Sequence, residues 1–131
     1  MNRLVRILVV DDEPDTLGLI ELTLQTAGFQ VQSVASGEDA LALLRRDAFD
    51  LVMLDIMMPT ITGFDIVRRL RSEGAQLPPI IFLTAKTGSE DRQTGELLGA
   101  AAYLTKPTTR GQLLDVVRRA LGELPSAHAA P

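Results

Sequence analysis

At 131 residues, 46% of them hydrophobic and 4% aromatic, the chain reads as a single domain with an aliphatic core of Leu, Ile, Val and Ala. A formal net charge of −4 leaves no electrostatic footprint for wrapping nucleic acid, so direct nucleic-acid binding is not expected. The absence of cysteine, and a lone histidine (His128) set in an Ala/Pro-rich tail, exclude a disulfide framework, a thiol nucleophile and a thiolate metal site, so a bound metal would need oxygen ligands and would be a hard cation such as Mg2+.

The first strand is read over residues 4–10, "LVRILVV", and ends abruptly in three acids, Asp11, Asp12 and Glu13. Arg3 and Arg6 ahead of an apolar stretch briefly imitate a signal peptide, but the acids cut it short. No run approaches the ~18–20 apolar residues of a membrane span, and a cytoplasmic protein is expected. Helical spacing follows: Leu17, Ile20, Leu24 and Ala27 share a face, and Gly28 supplies the stop. A second strand, "QVQSVA" (30–35), precedes a helix over 37–46 with Ala40, Leu41 and Leu44 inward. The third strand is "DLVMLD" (50–55), and its helix carries Ile66, Val67 and Leu70 between Gly63 and Gly74. The fourth strand is "PIIFLTA" (79–85). Its helix, over about 89–98, has so many glycines and so little apolar surface that it should be weakly anchored and comparatively mobile. The fifth strand, "AAYLTKP" (101–107), leads to a last helix with Leu113, Leu114, Val117 and Leu121 inward, closed by Gly122. The domain is therefore read as residues 1–122, with 123–131 as a flexible tail or the stump of a linker.

Five strands alternating with five helices imply an α/β fold with a parallel sheet covered on both faces. Right-handed crossovers leave few topologies, and the flavodoxin-like doubly wound (βα)5 arrangement, strand order 2-1-3-4-5, is the expected one. In such a sheet ligands bind beyond the carboxyl ends of the strands. Those ends present Asp11 and Asp12, Asp55, Thr84 and Lys106 from strands that are contiguous in the predicted order, so the five side chains converge. Three carboxylates in one pocket repel unless a cation intervenes or some of them are protonated. A Mg2+ ion would relieve that repulsion, Lys106 adds an ammonium and Thr84 a hydroxyl, together a site for a tetrahedral dianion beside a nucleophilic carboxylate. That chemistry is phosphoryl transfer.

The fragments "ILVVDDEP", "DLVMLDIMMPTITGFDIVRRLR", "PIIFLTA" and "GAAAYLTKP" stand in the order and at the spacing of one family. From about residue 4 to residue 122 the chain resembles a response regulator receiver domain, the phosphoacceptor module of two-component signalling, of the chemotaxis-regulator kind. The resemblance implies that Asp55 is the phosphoacceptor, that Asp12 ligates Mg2+ directly and Asp11 mainly through a water, and that Met57 lends a backbone carbonyl; Mn2+ could substitute. By the same resemblance Thr84 would bond a phosphoryl oxygen, Lys106 would pair with the phosphate, the Lys106-Pro107 bond would be cis, and Pro59 and Gly63 would shape the loop after Asp55. Tyr103 would turn between exposed and inward positions as Thr84 moves, switching the surface of the fourth helix, fifth strand and fifth helix and ordering the fourth helix. Met57 and Lys86 would influence dephosphorylation. A histidine kinase, a phosphotransfer protein or acetyl phosphate would donate, and an effector domain or protein would respond. Such a module is no enzyme beyond its own phosphorylation and dephosphorylation. Homodimerisation through the switch surface is open, although Ala101, Ala102 and Thr108 depart from the pattern common to regulators with winged-helix output.

Taken singly, these residues have plainer readings: Asp12, Glu13 and Asp15 as caps of the first helix, with Pro14 in its first turn, Asp55 as a turn former, Thr84 as a strand hydroxyl, Lys106 as a solvated lysine, and Met53, Met57 and Met58 as filler. A small Mg2+-dependent phosphatase with an aspartate nucleophile is the rival enzyme, but it would want Asp-x-Asp where this chain has Asp11-Asp12-Glu13. A flavin-binding flavodoxin would want a neutral phosphate loop there. A pseudo-receiver with dead chemistry would lack acceptor or metal positions that are intact here.

Overall fold

The computed structural model of the chain describes residues 4–85 and 89–123. Lys86 and residues 124–131 of the tail lie outside the described residues. The elements run β1 (Arg6–Val10), α1 (Pro14–Thr26), β2 (Gln30–Val34), α2 (Gly37–Arg46), β3 (Leu51–Asp55), α3 (Gly63–Ser72), β4 (Ile80–Thr84), α4 (Ser89–Leu97), β5 (Ala102–Thr105) and α5 (Arg110–Ala120). All pairings are parallel and the order is β2-β1-β3-β4-β5, the doubly wound topology expected from the sequence.

The period-2 geometry of a strand sends alternate side chains to opposite faces, and here each face meets its own set of helices, with α4 on the same face as α2 and α3. Leu8, Val10, Val52, Leu54, Ile80 and Phe82 pack with residues of α2 and α3. Ile7, Val9, Leu51, Met53, Ile81 and Leu83 pack with residues of α1 and α5. That two-sided burial explains why β1, β3 and β4 read as unbroken apolar runs, whereas β2, at an edge, alternates with exposed glutamines.

Local signals set the helix starts. Thr62 accepts from the Asp65 N–H while Asp65 accepts from the Thr62 N–H, a capping box that opens α3. Thr109 and Gln112 do the same for α5, and Ser36 caps α2 through the Asp39 N–H. Helix α1 starts differently: Glu13 is its N-cap residue, yet its side chain makes no cap bond, and Pro14 supplies the first turn.

Gly63, the first residue of α3, lies against the strand that carries Asp55. A Cβ there would stand 2.7 Å from the Asp55 carbonyl oxygen and 3.2 Å from Leu54 Cβ. Gly18, inside α1, has nothing within 4 Å of the same position. Alanine at an open helix position should stabilise by about 0.5–1 kcal/mol. Gly18→Ala is therefore expected to raise the urea midpoint. Gly63→Ala should lower stability by about 1–3 kcal/mol, because backbone rather than a flexible side chain would have to move. Equal gains from both substitutions would contradict this packing.

Candidate functional site

The sheet topology assembles the site. Asp11 and Asp12 directly follow β1, Asp55 and Thr84 are the last residues of β3 and β4, and Lys106 directly follows β5. Because β1, β3, β4 and β5 are successive neighbours, all five residues emerge at one edge of the sheet. Backbone bonds extend the ladder just past the strands, with the Ile56 N–H donating to Leu83 O at 3.0 Å and the Lys106 N–H to Thr84 O at 2.7 Å. These bonds hold the chain straight where the functional side chains leave it.

Asp11 is 0% and Asp55 2% exposed, burial that carboxylates tolerate only with partners. Lys106 supplies one to each: its Nζ donates to Asp11 Oδ2 at 2.8 Å and to Asp55 Oδ2 at 3.2 Å. The other oxygens accept from the backbone, Asp55 Oδ1 from the Met57 N–H and Asp11 Oδ1 from the Glu13 N–H, both at 2.9 Å. Asp12 reaches solvent, and one oxygen from each of Asp11, Asp12 and Asp55 lies within 4.8 Å of the other two. Oxygen-only donors brought that close suit a hard divalent cation, so the residues present fit Mg2+.

The electrostatics point the same way. Burial pushes the Asp55 carboxyl above its ordinary pKa; the Met57 N–H opposes this, the Asp11 charge adds to it, and Lys106 holds it down in part. Burial by itself would lower the Lys106 pKa, but the hydrogen bond to Asp11 and the charges of Asp55 and Asp11 outweigh it, and Lys106 is held firmly as an ammonium. One cation is thus shared among more anions than it can neutralise.

Thr84 is fully buried at the end of β4. Tyr103, on β5, packs against the α2/α3 side of the core, and its hydroxyl is buried without a hydrogen-bond partner in good geometry. Burial pushes the Tyr103 pKa up, and the neighbouring Thr84 hydroxyl opposes the rise. The ring is therefore turned inward. The Lys106–Pro107 peptide bond is cis. Met57 is 48% exposed at the mouth of the site, while Met53 and Met58 are buried core residues.

Two features were not legible from strand ends. Glu13, read only as a helix cap, brings Oε1 to 3.8 Å from Lys106 Nζ and lines a largely apolar groove of about 330 Å3 with Leu19, Ile20, Pro107 and Leu113. Its place directly after the acidic pair was the available signal. Thr60 adopts φ 69°, with the Ile61 N–H donating to Pro59 O at 2.8 Å, a tight turn in a backbone region that β-branched residues avoid. That turn lies in the loop leaving Asp55.

The geometry has counterparts. The family description "response regulator receiver domain" matches residues 7–118. Transcriptional regulatory protein DltR of Streptococcus agalactiae is 40% identical over 114 residues, 87% of this chain and 50% of that protein. The chain spans about half the length of the curated relatives it matches. Among solved structures, the Vibrio cholerae chemotaxis protein CheY4 superposes with a TM-score of 0.84 at 34% identity, covering 90% of this chain and 99% of that one. The receiver domain of the Pseudomonas aeruginosa sensor histidine kinase PA1611, which holds a magnesium ion in its active-site cleft, superposes at 0.81 with 32% identity, covering 92% and 99%.

Proposed function

The chain belongs to the response regulator receiver domain family, a family of signalling modules, and from that membership we propose that Asp55 is its phosphoacceptor. The observation that carries the reading is the sharing of Lys106 Nζ between two buried carboxylates, Asp11 and Asp55, beside a third, Asp12. Asp11, Asp12, Asp55 and the Met57 carbonyl would hold Mg2+, or Mn2+ in its place. Once bound, the ion supplies charge neutralisation to the carboxylates and to the incoming phosphoryl oxygens.

Within that site a carboxylate oxygen of Asp55 attacks phosphorus. The bond from phosphorus to the leaving group breaks, and the electron pair leaves with acetate from acetyl phosphate or with the imidazole nitrogen of a phosphohistidine. Lys106 pairs with a phosphoryl oxygen, exchanging one of its carboxylate contacts for the new dianion. Thr84 offers its hydroxyl to another phosphoryl oxygen, and Tyr103 occupies the inward position beside it. The loop bearing Thr60, closed by Gly63 at the start of α3, fixes how Asp55 leaves β3.

The donor is a histidine kinase or a phosphotransfer protein, and the output is an effector domain or protein reached through the α4–β5–α5 surface, which is also the surface a homodimer would use. Relatives about twice as long and described as transcriptional regulators support an output module outside these residues. Among the described residues no helix is long and apolar enough to cross a membrane, which accords with action in the cytoplasm. The chain turns over no substrate beyond its own acyl phosphate. Incubation with acetyl phosphate and Mg2+ should add a single phosphoryl group in intact-mass measurement, and chelation of the metal should abolish the addition. Steady hydrolysis of small phosphate esters, with no adduct, would instead support a phosphatase.

A further inference from the structure

Helix α4 contains a glycine that its own stability argues against. Gly95 is buried within the helix, and glycine weakens a helix interior. A Cβ at this position would stand 3.2 Å from Phe82 Cδ2 and 3.4 Å from Tyr103 Cδ2, tight against the first ring and just touching the second. The two rings differ in what they can yield. Phe82 is 0% exposed in β4 and meets Phe64 edge to face, with ring centroids 4.8 Å apart. Tyr103 is only half-buried, sits on the edge strand β5, and its buried hydroxyl lacks a well-formed hydrogen bond. The exposed Arg92, one helical turn before Gly95, places its guanidinium 4.9 Å from the centre of the Tyr103 ring. Arg92, Gly95, Ala100 and Tyr103 all border one groove of about 470 Å3, so the ring has open space on its outer side.

We propose that Gly95 is a positioning residue, whose missing side chain makes the seat in which Tyr103 lies inward against Phe82 while Arg92 closes over the ring. The functional meaning of that seat rests on the reading of Tyr103 as the residue that follows phosphorylation. A methyl group at position 95 meets Phe82, which is 0% exposed and cannot yield, so α4 must move outward, and that movement opens the seat of Tyr103 and lifts Arg92 from the ring. The helix thus forgoes stability at one position to keep the inward state of the ring accessible.

The chain has one tyrosine and no tryptophan, so its tyrosine fluorescence reports Tyr103 alone. Acrylamide quenching of the unphosphorylated chain should rise severalfold in Gly95→Ala and stay at the wild-type value in Gly18→Ala, where the same substitution meets open space. Gly95→Ala should still take up a phosphoryl group from acetyl phosphate to the wild-type extent, since the residue does not touch the acceptor. Quenching unchanged in Gly95→Ala, or raised equally by Gly18→Ala, overturns the assignment. Loss of phosphoryl uptake confined to Gly95→Ala also overturns it, because the substitution would then act on the acceptor site rather than on the ring. Failure of the wild-type chain to be labelled would count against Asp55 as acceptor and leave the quenching comparison intact.

Discussion

Replacing Lys106 by methionine is expected to lower the stability of the metal-free chain by about 3 kcal/mol, the scale for removing one partner from a buried ion pair. Methionine keeps most of the length and apolar stem of lysine and removes the charge. Asp11 and Asp55, 0% and 2% exposed, would then face each other with only their backbone N–H partners. Mg2+ should restore much of the loss, because an ion that binds only the folded chain stabilises it by about 2.7 kcal/mol at a hundredfold excess over its dissociation constant. Urea unfolding of Lys106→Met and wild type, each with chelator and with Mg2+, checks this. The variant should show the larger Mg2+-dependent gain. A variant as stable as wild type in chelator would mean that Lys106 is not what makes these acids tolerable.

The second large effect is at Asp55 itself. Asp55→Asn should end phosphoryl uptake altogether and, without metal at neutral pH, raise the urea midpoint, since it removes a charge whose burial outweighs its partners while leaving Lys106 paired with Asp11. The sign follows from the direction of the pKa shift. The folded Asp55 carboxyl titrates above its ordinary value of 3.8. It binds its proton more tightly folded than unfolded, so its contribution to stability is fully present below the ordinary value and is lost as pH rises through the folded value. The gap between variant and wild type should therefore be small in acid and open as pH climbs through that window. A gap of the opposite sign at neutral pH would mean that the ionised carboxylate is stabilising in the metal-free fold.

These two effects share a cause that was partly visible in the chain itself. Apolar runs ending in Asp11, Asp55, Thr84 and Lys106, separated by helical stretches, were enough to place those residues at one sheet edge. A parallel doubly wound sheet aligns the carboxyl ends of its strands whatever the loops do. Helix α2 spans the residues its spacing and caps indicate, and α4 ends within a residue of the expected position. What escaped sequence reading depends on distances between residues far apart in the chain. Arg45 grips Glu73 through two hydrogen bonds of 2.9 and 2.5 Å, tying α2 to the end of α3, a pairing that the spacing within either helix does not show. Glu13 looks like a helix cap until β5 brings Lys106 beside it. The positive φ of Thr60 has no signature in a β-branched residue. The space over Gly95 exists only because Phe82 and Tyr103 lie on adjacent strands in register.

The stage on which Asp55 acts is set by that register, and which carboxylate takes the phosphoryl group is the decisive observation. Borohydride reduces an acyl phosphate on aspartate to homoserine, and peptide mapping locates the change. After exposure to acetyl phosphate and Mg2+, the expected result is conversion of Asp55 alone, absent in chelator. Conversion at Asp11, Asp12 or any other acid, with Asp55 untouched, would contradict it.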